Sequence, residues 1–163
     1  MNVRDCNGVS IANIPLQFAW NVKTATEIVD KWQGSCKILA ANQVCIDYLF
    51  ILAYVSLLFF IGLRCERAAA RREMPTLAFI GRLSAWGGLL AGVFDCFENI
   101  GLLTMIHRGP ATPVPSLTTL CASAKSALLA NSAGVGLVTL EAVVVHWWRR
   151  RESSSAPDDG QRK

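Results

Sequence analysis

The chain has 163 residues, of which 52% are hydrophobic and 17% are charged, and its formal net charge is +4. Soluble domains are about a quarter charged, so this composition disfavours an ordinary soluble domain. The apolar residues are concentrated in long blocks, and the basic residues flank those blocks. Basic segments in such positions report membrane topology and argue against nucleic-acid binding. The composition therefore predicts an all-α polytopic membrane helical bundle, with the lipid bilayer as its main partner.

The first 43 residues are predicted to precede the membrane domain. Residues 1–23 contain turn signals and are expected to form an irregular segment. Thr24 and Glu27 match the pattern of a helix capping box. Apolar residues then recur at helical spacing, with charged residues on the opposite face. We therefore predict an amphipathic helix over residues 24–43 that lies on the membrane or docks on the bundle.

Three apolar segments are long enough to cross a bilayer, for which about 20 residues are needed. These spans are predicted at about 45–63, 77–106 and 117–148. Together they make a three-helix membrane domain over residues 44–148. A basic segment at 64–72 separates the first two spans, and a proline-rich turn separates the second from the third. Residues 149–163 are predicted to be a basic exit and a disordered tail.

The positions of the basic residues predict how the spans are oriented. Arginines follow the first span at 64–72 and the third span at 149–151, whereas the turn between the second and third spans has only Arg108. Three spans place both strongly basic segments on one side, which should be the cytoplasm. We therefore expect a cytoplasmic C-terminus and an N-terminus on the outside.

The second span carries a stripe of small residues on one helical face. The members of this stripe are Gly81, Ala85, Gly88 and Gly92. Glycines four residues apart allow the backbones of two helices to approach closely. Asp95 and Asn99 continue the same face, so we predict that the face that packs on a neighbouring helix also carries polar groups.

Strongly polar residues lie inside the predicted spans. Asp95, Glu98 and Asn99 are at positions i, i+3 and i+4, so they share one helical face. A charge at the bilayer centre costs roughly 2.5–3.5 kcal/mol on insertion scales, so this face should meet protein or water. With a rise of about 1.5 Å per residue, Asp47 and Lys125 reach a similar depth on their own spans. We therefore predict an intramembrane polar cluster of Asp47, Asp95, Glu98, Asn99 and Lys125.

The same depth estimate places Arg82 and Glu141 at one level on the cytoplasmic side and predicts an ion pair there. A metal site is not expected, because His107 and His146 lie at opposite ends of the membrane. The six cysteines include no C-x-x-C pair and are interpreted as mainly free thiols. No cofactor is expected.

Three segments between residues 14 and 148 resemble a group of small, mostly bacterial, uncharacterised membrane proteins with a D-x-x-E-N motif and a later lysine. They are Ile14-Pro-Leu-Gln-Phe-Ala, Asp47-Tyr48-Leu-Phe with Tyr54, and Ala91-Gly-Val-Phe-Asp-Cys-Phe-Glu-Asn99. Asp95, Glu98, Asn99 and Lys125 are the matching positions. The resemblance implies an integral membrane protein of the bacterial inner (plasma) membrane, and it implies no activity.

Three functions remain open at this point. The cluster binds a proton, a cation or a polar lipid headgroup; or the chain is a non-catalytic accessory subunit whose polar layer only orders its helices; or it is a membrane enzyme that uses Asp95 or Glu98 as a general acid–base. A membrane protein partner or a homo-oligomer is compatible with each of them. The sequence has no nucleophile elbow, H-E-x-x-H motif or phosphate loop, so no catalytic residue is assigned.

Overall fold

The structure is a computed structural model that describes the backbone of residues 14–32 and 34–154, and the side chains of these residues up to 138 together with Glu141. The elements in order are α1 (Ile14–Gln17), α2 (Val22–Val29), α3 (Ser35–Ala70), α4 (Pro75–Arg108) and α5 (Val114–Ser154). No strand occurs in the part of the chain that is described. The predicted all-α fold class is therefore confirmed.

Two helices, α3 and α4, are long and apolar enough to cross a membrane. With 36 and 34 residues, both helices are longer than the thickness of the hydrocarbon core of a bilayer, which is about 30 Å. Helix α4 packs along both α3 and α5, whereas α3 and α5 contact each other little. Because α4 lies between its neighbours, the polar residues on α4 can reach both of them.

The predicted small-residue stripe lies where α4 packs against α3. A methyl group at Gly81 would lie 2.7 Å from the backbone nitrogen of Glu66, and one at Gly62 would lie 2.7 Å from Cβ of Ala85. Gly88 and Gly92 face Leu58 and Val55 at similarly close range. As the residue numbers rise along α4, those of the contacted residues fall along α3, so the two helices run antiparallel. Small side chains at these positions let the two backbones approach closely.

The amphipathic helix predicted over residues 24–43 is interrupted in the structure. Helix α2 begins at Val22 because Asn21, not Thr24, caps it: Oδ1 of Asn21 accepts a hydrogen bond of 2.8 Å from the backbone nitrogen of Thr24. It ends at Val29, and α3 begins after Gly34, whose φ of +56° favours glycine. The prediction was wrong here because the apolar spacing continues across the break.

Two other predicted boundaries differ from the structure. Helix α1 lies inside the segment predicted to be irregular at 1–23, and the remainder of that segment up to residue 13 lies outside the described residues. Helix α5 continues to Ser154, so residues 149–154 of the predicted exit and tail are helical. The tail from 155 to 163 lies outside the described residues.

The N-terminal helices form a cap on one end of the bundle, which we call the N-terminal cap (residues 14–32). Its apolar residues pack on the first turns of α3 and on the last turns of α4, in a core of Leu16, Ala19, Ala25, Val29, Trp32, Cys36, Ala40, Ala41, Val44, Leu102, Met105 and Ile106. Two α5 hydroxyls donate hydrogen bonds to its backbone: Ser116 Oγ to Trp20 O at 2.8 Å and Thr119 Oγ1 to Gln17 O at 2.9 Å. The N-terminal cap is therefore docked on the end of the bundle.

The cysteines differ from one another in their chemical state. Cys45, Cys65, Cys96 and Cys121 are free thiols, as expected. Cys36, at the start of α3 beside the N-terminal cap, is disulfide-bonded. The interpretation of the cysteines as mainly free thiols therefore does not extend to Cys36.

Candidate functional site

The polar residues of α4 are buried, and they contact both neighbouring helices. Asp95, Glu98 and Asn99 are 3%, 0% and 1% exposed. Burial of ionisable groups in an apolar bundle is costly unless they are paired and hydrogen-bonded. Their partners therefore decide what this part of the bundle can do.

Lys125 on α5 bridges the two α4 carboxyls. Its Nζ lies 2.9 Å from Oδ1 of Asp95 and 2.7 Å from Oε2 of Glu98. The lysine side chain is 15% exposed, whereas those of Asp95 and Glu98 are 4% and 0% exposed. Oε1 of Glu98 has no hydrogen-bond partner among the described residues. The ammonium group is thus shared between two carboxyls, and one carboxyl oxygen is left unpaired in the interior.

Tyr54 on α3 completes the surroundings of Asp95. Its hydroxyl donates a hydrogen bond of 2.7 Å to Oδ2 of Asp95. Both oxygens of Asp95 are therefore occupied, one by α5 and the other by α3. Tyr54 was not among the predicted site residues. Its position seven residues after Asp47, on the same helical face, was the signal that would have identified it.

The second link between α3 and α4 is a contact of Asn99 with Asp47. Nδ2 of Asn99 donates a hydrogen bond of 2.9 Å to Oδ2 of Asp47. No described residue donates a hydrogen bond to the other oxygen of Asp47, Oδ1. The structure thus brings together all five residues predicted for the polar cluster and adds Tyr54. From here on, the polar cluster means Asp47, Tyr54, Asp95, Glu98, Asn99 and Lys125.

A cavity of about 300 Å³ lies beside the polar cluster, and we call it the cluster cavity. Its lining comes from α1, α3, α4 and α5: Ile14, Gln17, Gln43, Asp47, Phe50, Tyr54, Asp95, Asn99, Leu102, Lys125 and Leu129. The α3 residues recur at helical spacing, so one face of α3 forms a wall. On that wall the rings of Phe50 and Tyr54 have centroids 5.5 Å apart and planes tilted by 54°. The cluster cavity is large enough for a small ligand.

The polar cluster contains three carboxyl groups and one amine. If all four groups are ionised, it carries an excess of negative charge. Among the described residues, no three His, Cys, Asp or Glu side chains are grouped so that they could hold a metal ion. The carboxylate oxygens of the polar cluster accept hydrogen bonds, and its aromatic rings present faces that attract cations.

The structure does not form the predicted ion pair between Arg82 and Glu141. Both residues are exposed, and neither takes part in an ion pair within the described part of the chain. Equal depth does not ensure that two side chains point toward each other, and a long arginine side chain can reach the headgroup region from several positions. This prediction was wrong.

No family model, no curated protein and no solved structure matches the chain. The resemblance to small membrane proteins with a D-x-x-E-N motif therefore stays a prediction. The geometry of the polar cluster and its cavity is the basis for the function proposed below.

Proposed function

We propose that this chain is an integral membrane protein of three spans, α3, α4 and α5, and that its polar cluster binds a cationic group in the cluster cavity. The ligand class is a primary ammonium, either on a free molecule or on a lipid headgroup. The single observation that carries the proposal is a cavity lined by two carboxyls, two aromatic rings and an amine that already has acidic partners.

The exposed surface of the long helices supports the membrane location. Only 11% of the apolar window of α3 is buried, whereas the core helix of a soluble protein would be mostly buried. Large apolar side chains that are more than half exposed occur on all three long helices, among them Leu49, Leu52, Phe60, Phe79, Trp86, Phe97, Leu117 and Leu137. Such a surface is unfavourable in water and favourable in lipid.

Two observations support the proposed orientation, with the N-terminal cap outside and the C-terminus in the cytoplasm. Arginines are concentrated where α3 ends and α4 begins, at 64–72 and at Arg82, as expected for a cytoplasmic side. Cys36 lies at the opposite end of the bundle and is disulfide-bonded. Disulfides persist in oxidising compartments such as the periplasm. We accordingly propose that the N-terminal cap faces an oxidising compartment, and we propose the bacterial inner membrane as the location because the sequence resemblance implies it.

Cysteine labelling tests this orientation. Thr112 and Met74 are both exposed and lie in the two turns at opposite ends of the bundle. In intact cells, we expect a membrane-impermeant maleimide to label Thr112→Cys above the level of the parent chain and to leave Met74→Cys at that level. After membrane disruption both variants should be labelled. The reverse pattern in intact cells would show that the orientation is inverted, and equal labelling would contradict a membrane-spanning bundle.

The balance of charge argues for a cationic ligand. Lys125, the amine that faces the cluster cavity, is held by Asp95 and Glu98. Asp47 has one oxygen with no donor among the described residues, and it lines the same cavity. The ammonium group of a ligand could donate to that oxygen while the ligand's methylene groups contact the ring faces of Phe50 and Tyr54. An anion would meet the carboxyls of Asp47 and Asp95 instead.

Asp47→Asn is the sharpest test of binding, because it removes a charge and keeps the shape. An asparagine carbonyl can still accept the hydrogen bond from Asn99, so we expect the variant to fold. Ethanolamine at about ten times its Kd should stabilise the wild-type protein by about 1.4 kcal/mol, or about 3–6 °C in melting temperature. We expect this shift to disappear in Asp47→Asn, as measured by thermal unfolding of the purified full chain in detergent.

Asp30→Asn is the matched control, because Asp30 is exposed and lies outside the polar cluster. It should keep the full ethanolamine shift. The two possible sources of the cation are separated by repeating the melts with dioleoyl-phosphatidylethanolamine in place of free ethanolamine. A melting-temperature shift with the lipid, but not with free ethanolamine, would assign the site to a lipid headgroup. No shift of the wild-type protein with either compound would refute the proposal.

An accessory role is favoured by a different observation. Every contact in the polar cluster joins two different helices: Lys125 links α5 to α4, and Tyr54 and Asp47 link α3 to α4. A cluster of this kind would order the bundle even without a ligand. The enzyme alternative has less support, because both oxygens of Asp95 are occupied and Glu98 does not line the cluster cavity.

A further inference from the structure

A second cavity, of about 600 Å³, lies between α3 and α5 toward the arginine-rich end of the bundle. We call it the lipid groove. It shares no lining residue with the cluster cavity. It forms because α3 and α5 each pack on α4 but contact each other little. On α3 its wall consists of Leu58, Ile61, Cys65 and Ala68, which recur three and four residues apart on one helical face.

The interior of the lipid groove is apolar. Its two hydroxyl-bearing residues, Ser84 on α4 and Ser132 on α5, donate to each other's backbone: Ser84 Oγ lies 3.3 Å from Ser132 O, and Ser132 Oγ lies 3.3 Å from Ser84 O. Because each hydroxyl already has an acceptor, the groove presents little polar surface to an occupant. A hydrocarbon chain suits such a lining better than a polar molecule does.

One charged residue, Arg64, lines the groove, and its side chain is exposed. It follows directly after the apolar run of α3, at the depth expected for phosphate headgroups. The lining continues deeper into the span as far as Leu58, and from Leu58 to Ala68 the helix rises about 15 Å. The groove therefore combines an apolar interior with one exposed guanidinium group on its α3 wall.

We propose that the lipid groove binds an acyl chain of an anionic phospholipid, whose phosphate is held by Arg64. The inference rests on the proposed membrane location and is independent of any ligand in the cluster cavity. Charge complementarity favours a lipid over a helix of a second protein chain. An anionic headgroup would neutralise Arg64 and lie beside the arginines at 67, 71 and 72. A packed transmembrane helix would instead cover the guanidinium with apolar side chains.

Competition between two lipids tests the charge part of the proposal. The purified full chain is incubated with equimolar dioleoyl-phosphatidylglycerol and dioleoyl-phosphatidylcholine in detergent, and retained lipid is measured by native mass spectrometry. We expect the wild-type protein to prefer phosphatidylglycerol and Arg64→Gln to lose about fivefold of that preference. Arg108→Gln is the matched control, because Arg108 is exposed at the opposite end of the bundle and does not line the groove. Equal losses in the two variants, or no preference in the wild type, would overturn the proposal.

A pair of glycine substitutions tests whether the groove itself is the site. Gly134 and Gly136 both lie on α5, and a Cβ at either position would have no atom within 4 Å. Only Gly136 lines the groove. We expect Gly136→Leu to reduce retention of both lipids at least tenfold, and Gly134→Leu to retain them as the wild type does.

The melting temperature of each glycine variant is measured alongside, so that loss of lipid is compared only between folded proteins. Full lipid retention by a folded Gly136→Leu would contradict the proposal. So would oxidative cross-linking of Gly136→Cys to a second copy of the chain in native membranes, because that result would place protein in the groove. Failure of the ethanolamine experiment leaves this test unaffected, since the two cavities share no residue.

Discussion

Replacing Lys125 with methionine is expected to destabilise the bundle by about 3–5 kcal/mol, the usual cost of removing one partner from a buried ion pair. The substitution keeps the length of the side chain and removes its charge. Asp95 and Glu98 would then stay buried without the ammonium group that lies 2.9 Å and 2.7 Å from their carboxyl oxygens in the wild type. Neither carboxyl can reach bulk water, because their side chains are only 4% and 0% exposed.

Unfolding of the purified protein in mixed micelles, followed by helical circular dichroism as the denaturing detergent is increased, measures this loss. Lys31→Met is the matched control, because Lys31 is exposed at the end of the N-terminal cap. A surface change of this kind usually stays within about 0.5 kcal/mol. If Lys125→Met unfolds at the same point as Lys31→Met, the ion pairs of Lys125 do not hold the bundle together.

Because the polar cluster has three acids and one base, losing the base should cost more stability than losing one acid. Glu98→Gln removes one carboxylate and leaves Lys125 paired with Asp95, so it should cost much less than Lys125→Met. The double variant Lys125→Met with Glu98→Gln should recover part of the lost stability, because one of the two uncompensated charges is gone. This comparison separates an electrostatic role for Lys125 from simple packing of its methylene groups.

The polar cluster could be predicted from the sequence because two simple constraints act on it. Asp95, Glu98 and Asn99 share a helical face, and burial of charge in an apolar span requires partners. Lys125 and Asp47 were identified by depth alone, and the structure places both in contact with α4. Depth was sufficient here because Lys125 is the only basic residue of α5 near that level and Asp47 is the only acidic residue of α3 near it.

Depth was insufficient for Arg82 and Glu141. Both lie at one calculated level, yet both are exposed and no ion pair joins them within the described residues. Rise per residue gives the depth of a side chain along the helix. It does not give the direction in which the side chain points, because that direction depends on how the helices pack. Tyr54 was missed for another reason: an aromatic residue inside an apolar run resembles packing, and its helical spacing from Asp47 was the one sequence signal that placed its hydroxyl on the polar face.

The break between α2 and α3 could not be read from hydrophobic periodicity. The buried residues Val29, Trp32 and Cys36 keep helical spacing through the interruption, since all three pack into the same core. Helix α2 ends at Val29, and Gly34, with its left-handed φ of +56°, directly precedes the first residue of α3. Glycine permits that conformation but does not require it, so the sequence alone leaves both a continuous helix and a broken one open.

Gly81→Ala is expected to be damaging although it adds only one methyl group. That methyl would lie 2.7 Å from the backbone nitrogen of Glu66 and 3.2 Å from the carbonyl carbon of Cys65. Backbone atoms cannot move aside by a change of rotamer, so α3 and α4 would have to separate. Overpacking of this kind costs about 1–3 kcal/mol, and it acts against the gain of up to about 1 kcal/mol that alanine has over glycine inside a helix.

Gly134→Ala provides the matched comparison, since a methyl group there has no atom within 4 Å. It should be neutral or slightly stabilising in the same detergent unfolding experiment, because only the helix propensity changes. The difference between the two alanine variants isolates the contact between α3 and α4. The polar cluster depends on that contact too, because Tyr54 and Asp47 reach α4 only while the helices stay close. We therefore expect Gly81→Ala to lower ethanolamine binding as well as stability, whereas Gly134→Ala should change neither by more than about 1 kcal/mol; equal stability of the two variants would contradict close packing at the stripe.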